Sequence, residues 1–298
     1  MKLASRAIGP DVLRQVKKIE LRTRTLVNSL FAGEYRSVFR GHGMEFTEVR
    51  EYQHGDDFRS IDWNVSARMG HPYVKIFEEE RELTLLLIVD RSGSVEFGAP
   101  KAKSDVGVEV AAVLALAAAR QNDRVGALIF SDTIDHVVRP AKGRRHALRV
   151  IRDLLAFRPQ RRGTNIGAAL IYASRLLRHR GVAVVLSDFR AAGWEEQLRR
   201  LARRHDVVAI TVDDRREHEL PAAGWVEVED AETGERRLVD TSHDPTRLAV
   251  AMRAEQRRLE RARAFKQARV DHVALRTDRP YAETLHQAFA ERARRLSR

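Results

Sequence analysis

Leu83–Ser94 reads LTLLLIVDRSGS. Its first half is a run of apolar, β-favouring residues. Its second half is Asp90 followed by serines at alternate positions, Ser92 and Ser94. A continuous apolar run of this length reads as a strand covered on both faces, the centre of a parallel sheet. Such a strand delivers the side chains of its terminal loop to the carboxyl edge of the sheet, where open α/β folds bind ligands. Two neutral hydroxyls beside one carboxylate form a hard-cation donor set, suited to Mg2+, Mn2+ or Ca2+ rather than zinc.

Downstream of this run, strand and helix patterns alternate. Lys101–Arg120 predicts a helix that is apolar nearly all round and therefore buried. Arg124–Phe130 predicts a strand, and the turn Ser131-Asp132-Thr133 leads into His136–Val138, placed as an antiparallel edge strand. Further helices are expected over Arg144–Phe157, Ile166–Arg178, Trp194–Arg204, Pro245–Phe265 and Tyr281–Leu296. Strands are expected over Val182–Leu186, Val207–Val212 and Val270–Leu275. The expected fold is α/β, a doubly wound and mostly parallel sheet with helices on both faces. Trp225–Val228 and Arg236–Val239 flank Glu232-Thr233-Gly234 and predict an acidic β-hairpin inserted at residues 215–245.

Upstream, the chain divides into a helix within residues 1–32 and a glycine-punctuated stretch at 33–82. The helix runs from Pro10 to Leu30, with Leu13, Val16, Ile19, Leu26, Val27 and Leu30 near helical spacing. Its other faces are basic, so it either docks on the main body or stands out as an arm. In the second stretch, Met44–Tyr52, Ile61–Ala67 and Tyr73–Glu80 have strand-like composition, which predicts a small N-terminal β subdomain ahead of an α/β domain at 83–298.

The chain has 298 residues, 43% of them hydrophobic, enough for a sizeable core beside a smaller unit. There is no cysteine, which excludes disulfides, thiolate metal sites and a cysteine nucleophile. No signal peptide and no apolar run of about 18 residues is found, so a cytoplasmic protein without a membrane span is expected. The net charge of +12 is unevenly spread. Residues 139–162 carry nine basic side chains against one acidic, whereas 212–244 carry eleven acidic against four basic. A basic surface admits nucleic acid as a partner, but no helix-turn-helix, finger or aromatic stacking pattern accompanies it.

Three loops of the expected sheet converge on one edge: Asp90–Ser94, Thr164 in Gly163-Thr164-Asn165, and Asp188 after the strand ending at Leu186. Ser92, Ser94 and Thr164 offer hydroxyl oxygens; Asp90 and Asp188 offer charge, directly or through water. A hard divalent ion wants about six oxygens, which leaves a position for water or a partner's carboxylate. The bland reading of the same residues is capping: Asp and Ser after a buried strand can close a turn, Thr164 can cap a helix, and so can Asp188.

DxSxS followed by a distant Thr and a later Asp resembles the metal-ion-dependent adhesion site of von Willebrand factor A-type domains, and Asp90, Ser92, Ser94, Thr164 and Asp188 match it position by position. The upstream run Gly43–Glu82, GMEFTEVREYQHGDDFRSIDWNVSARMGHPYVKIFEEERE, resembles the signature of the bacterial family catalogued as domain of unknown function fifty-eight. The resemblance spans the chain from about residue 33 to its end. It implies a von Willebrand factor A-like sheet, a Mg2+ (or Mn2+ or Ca2+) site, and partnership with a MoxR-type AAA+ ATPase or that ATPase's client. Val95 departs from the pattern, where methionine is frequent.

The expected function is therefore a non-enzymatic, metal-dependent protein-interaction module, an adaptor in the assembly or maturation of other proteins. The alternatives are a metal-assisted hydrolase or phosphotransferase using Asp90, and a basic nucleic-acid-binding protein. A haloacid-dehalogenase-type phosphatase wants a second aspartate where Ser92 stands. GxGxxG, GxxxxGK[ST], HExxH and a serine-hydrolase elbow are all missing from the sequence.

Overall fold

The computed structural model describes residues 10–31, 45–78 and 83–296. Gly33, Gly41, Gly43 and both ends of the Gly43–Glu82 run lie outside them, as do the side chains of Leu26 and Leu30. The described residues form two compact units, 45–78 and the remainder.

In the larger unit, strands β3 (Thr84–Asp90), β4 (Arg124–Phe130), β5 (Ile134–Ala141), β6 (Val182–Leu186), β7 (Asp206–Asp213) and β10 (Asp271–Arg276) form a six-stranded sheet of order β10-β7-β6-β3-β4-β5. All pairs are parallel except β4 with β5, the antiparallel edge that the short turn after Phe130 predicts. The apolar run of β3 lies at the centre, between β4 and β6. Its side chains alternate between two cores. Leu85, Leu87 and Val89 face one cluster, Leu86 and Ile88 the other. A strand buried on both faces has no polar position to spare, which is why LTLLLIV contains none inward of Thr84.

Helices α3 (Lys103–Arg120), α4 (Arg144–Ala156) and α8 (Tyr281–Leu296) supply the first cluster; α5 (Ile166–Leu176), α6 (Glu195–Arg204) and α7 (Asp244–Ala268) cover the other face. The sheet is thus doubly wound. Helix α1 (Pro10–Phe31) packs on α3 and α4 and adds Val16, Ile19 and Val27 to the first cluster. It is a docked helix rather than a free arm. Leu13, expected on the inner face, is instead 56% exposed. Strands β8 (Trp225–Glu229) and β9 (Arg236–Asp240) form the expected acidic hairpin.

The smaller unit pairs β1 (Glu45–Glu51) antiparallel with β2 (Tyr73–Glu78). Between them the expectation of a strand over Ile61–Ala67 is overturned. Ile61 makes a lone bridge to Val74, and Trp63–Met69 is a short helix, α2. Local capping decides this. The Asp62 carboxylate accepts the Asn64 and Val65 N–H groups, and Gly70 closes the helix at φ 79°. The unit is a hairpin with a helix in its connection, not an all-β subdomain.

Candidate functional site

β3 and β6 are parallel neighbours in register, Val89 opposite Leu186, so their terminal loops emerge side by side. That brings Asp90, Ser92, Ser94 and Asp188 together. Asp90, Ser92 and Asp188 are at most 3% exposed and Ser94 8%. The Ser92 and Ser94 hydroxyls stand 3.2 Å apart. Ser94 also hydrogen-bonds Asp188, and Ser92 donates its backbone N–H to Asp90 Oδ1 at 2.9 Å. Ser187, next to Asp188 in the chain, donates its hydroxyl to Asp90 Oδ2 at 2.6 Å.

The two carboxylates are pushed in opposite directions for a physical reason. Burial, and then the like charge of Asp188, push the Asp90 carboxyl up to about 7, against the hydrogen bonds of Ser187 and Ser92. Burial acts on Asp188 too, but Lys103 beside it, helped by Arg190 and Ser94, holds it below the usual carboxylate range. Lys103 is 1% exposed and stands at the start of α3. Its Nζ donates to Asp188 Oδ2 at 2.8 Å and to Glu217 Oε1 at 2.7 Å. Arg190 reaches Glu217 at 3.3 Å. Arg261 donates to the Asp188 carbonyl at 2.6 Å and grips Asp213 with both terminal nitrogens. The Asp188 loop is further pinned by Phe189, which takes φ 54°, a conformation costly for a residue with a side chain. Edge-on packing of its ring against Trp194 and Phe265, each at 4.9 Å, holds it there.

Thr164 reaches the same edge from another direction. The Gly93 N–H donates to the Arg162 carbonyl at 2.7 Å, so the loop before α5 lies against the DxSxS loop. The helix cap is Asn165, whose side chain accepts the Ala168 N–H at 3.0 Å, which corrects the reading of Thr164 as a cap. Asp188 likewise caps no helix: α6 starts at Glu195, and the backbone N–H that Asp188 accepts is that of nearby Arg190, at 3.2 Å. The Thr164 hydroxyl donates elsewhere, to Glu232 Oε1 at 2.6 Å, at the tip of the β8–β9 hairpin. Arg162 meets Glu229 of the same hairpin at 3.1 Å. The basic and acidic segments seen in the sequence therefore answer one another in part within the chain. Arg161 is also engaged, with Asp132 at 3.2 Å.

Sequence reading assigned no role to Lys103, Ser187, Glu217 or Glu232. Ser187 adjoins Asp188 and could have been added on that ground. The other three come from elements distant in sequence, and no spacing marks them. Arg91, inside the motif, is 5% exposed and pairs with Glu96 at 3.0 Å.

Oxygen donors dominate the edge: two buried carboxylates and three hydroxyls. Among the described residues no group of three or more His, Cys, Asp or Glu is placed to hold a metal. Among the described residues no helix is long and apolar enough to cross a membrane.

Several known proteins are similar to this chain. An uncharacterized protein of Mycobacterium tuberculosis (strain ATCC 25618 / H37Rv) is 34% identical over 290 residues, which is 96% of this chain and 91% of that protein. Among solved structures, the conserved hypothetical protein BatB from Bacteroides thetaiotaomicron overlaps 71% of this chain and 99% of its own, with 14% identity and a TM-score of 0.43. The VWA domain of SpRpn10 overlaps 70% and 95%, with 13% identity and a TM-score of 0.41. The sequence pattern of the family described as Protein of unknown function DUF58 matches residues 48–260, and the chain belongs to that family.

Proposed function

We propose that this protein is a non-enzymatic, metal-dependent protein-interaction module of the adhesion-site type. Asp90, Ser92, Ser94, Thr164 and Asp188 would hold Mg2+, or Mn2+ or Ca2+, and the ion would supply a positive centre for a carboxylate. The observation that carries this reading is the buried pair Asp90 and Asp188 around two hydroxyls 3.2 Å apart. Lys103 compensates Asp188. Asp90 is met by neutral donors, Ser187 and Ser92, and burial beside the like charge of Asp188 raises its pKa. A hard divalent ion would relieve that cost.

The partner in this reading is a MoxR-type AAA+ ATPase or its client, as the resemblance in the sequence implies, and the protein is an adaptor in assembly or maturation, working in the cytoplasm. A basic nucleic-acid surface is less favoured, because Arg161 and Arg162 are engaged with acidic side chains of the chain itself.

The test is affinity capture from the host's own lysate by the purified full chain, with Mg2+ and again with chelator. Recovery of an AAA+ ATPase or its client with Mg2+ alone is the expected result. Equal recovery in chelator removes the metal from the interaction, and nucleic acid released by salt in place of a protein replaces this reading with the basic-surface one.

A further inference from the structure

Beside the Asp188 loop lies a cavity of about 240 Å3. The loop after β6, the start of α6 and the second half of α7 border it. Phe189 and Trp194, both buried, give it an apolar wall, and Arg190, His218, Arg257 and Arg261 line it with donors. Its volume is below the about 300–1,000 Å3 that holds a drug-sized ligand, so its occupant is small.

Acceptors run short on the arginine side. Four carboxylates also border the cavity, and two of them are taken: Asp188 by Lys103 and Asp213 by Arg261. Glu195 and Glu260 are exposed, and Glu260 accepts the Gln256 amide at 2.9 Å. Of the arginines, Arg190 pairs with Glu217 and Arg258 with Glu255. Arg257 is left over: among the described residues it makes no hydrogen bond and no ion pair. Partial burial, then the like charge of Arg190, with those of Arg253 and Arg261 behind, lowers its pKa from the ordinary arginine value, against the pull of Glu217. Arg261 Nε is buried and also lacks an acceptor. Donors left unmet in a partly desolvated place cost free energy until an acceptor arrives.

We propose that this cavity is an anion site, in which Arg257, with Arg190 and Arg261 in the wall, takes one small oxyanion: a phosphate group or a carboxylate. The guanidinium fork matches both, and it stays charged at every physiological pH. Arg190 and Arg261 also hold the Asp188 loop, through its carboxylate at 3.9 Å and its carbonyl at 2.6 Å. No metal is needed for this, so the anion site stands or falls apart from the metal reading.

The experiment titrates the full chain with inorganic phosphate and, separately, with acetate, in chelator and at ionic strength held constant with chloride. Calorimetry reads affinity, and thermal unfolding reads the stabilisation that binding gives. Wild type is compared with Arg257→Ala, Arg257→Lys and Arg175→Ala. Arg257 is exposed, so its loss spares the cores; Arg175 is an exposed arginine of α5 that does not border the cavity. Saturable one-to-one binding of at least one of the two anions by wild type is expected. It should be about tenfold weaker in Arg257→Ala, intermediate in Arg257→Lys and unchanged in Arg175→Ala. Phosphate alone bound makes the ligand a phosphate group, acetate alone a carboxylate, and mutual competition a general oxyanion. Absence of saturable binding, or wild-type affinity in Arg257→Ala, overturns the site. Equal weakening in Arg175→Ala overturns it too, by reducing the effect to diffuse attraction of anions to a basic chain. If Arg257→Ala does not fold, Arg257→Lys decides alone: weakened binding supports the site and wild-type affinity overturns it.

Discussion

Lys103 Nζ lies 2.8 Å from Asp188 Oδ2, and neither side chain reaches solvent. A lysine fully withdrawn from water is uncommon and must be paired. Here the second partner is Glu217, at 2.7 Å, from the turn after β7. The ammonium joins the start of α3 to the loop after β6 and the turn after β7, at the sheet edge that carries the candidate site.

Lys103→Met tests this junction. The substitution keeps the side chain's length and takes the ammonium away from two buried carboxylates. Removing one partner of a buried pair costs about 3–5 kcal/mol. Urea unfolding at neutral pH should show a loss of that order, and Lys103→Met with Glu217→Gln should recover part of it. A variant as stable as wild type would mean that the pair is not buried in solution.

The double variant Asp90→Ala, Ser92→Ala separates site from fold. β3 is held by its apolar side chains, which the changes leave intact. Thermal unfolding should remain cooperative, while the rise in Tm that Mg2+ or Mn2+ gives wild type should vanish. Retention of the metal-induced rise would remove Asp90 and Ser92 from the site.

Leu87→Ala tests the strand on which the fold is centred. Leu87 is 0% exposed and belongs to the cluster beneath α3. A leucine-to-alanine change at such a position costs about 2–5 kcal/mol. Denaturant unfolding measures it, and a loss below about 1 kcal/mol would contradict the central placement.

His272 gives the chain an acid-side pH dependence. Burial first, then the Arg261 and Arg258 charges, lower its pKa to about 4, against the opposing charge of Asp213. It faces the Thr211 hydroxyl at 2.9 Å and the Phe265 ring at 4.7 Å. In the unfolded chain the imidazole titrates near 6.5. Between the two values the unfolded state binds a proton that the native state does not. Stability is therefore complete above about pH 6.5 and falls as pH drops toward 4, by about 1–3 kcal/mol from this group. His272→Gln keeps a hydrogen-bonding group for Thr211 and should flatten the slope in that window, measured by urea unfolding at stepped pH.

The sequence by itself determined the sheet and the near neighbours of the site. Seven consecutive β-favouring residues before Asp90 can be satisfied only by cover on two faces, and strand–helix alternation then places the loops after β3 and β6 at one edge. Asp90, Ser92, Ser94 and Asp188 are legible for that reason: each sits at the end of, or a few residues beyond, a strand whose position the apolar pattern fixes. Trp63–Met69 was not legible, because seven residues are too few for a period, and the Asp62 and Gly70 caps outweigh strand-like composition. Tertiary structure alone decided that Lys103 lies under Asp188 and that Glu232 lies on Thr164. These pairs are 85 and 68 residues apart in the chain. A charge or a hydroxyl carries no record of which distant group it will meet. That choice is made when the cores of the sheet close, and the buried charges must then find partners or leave.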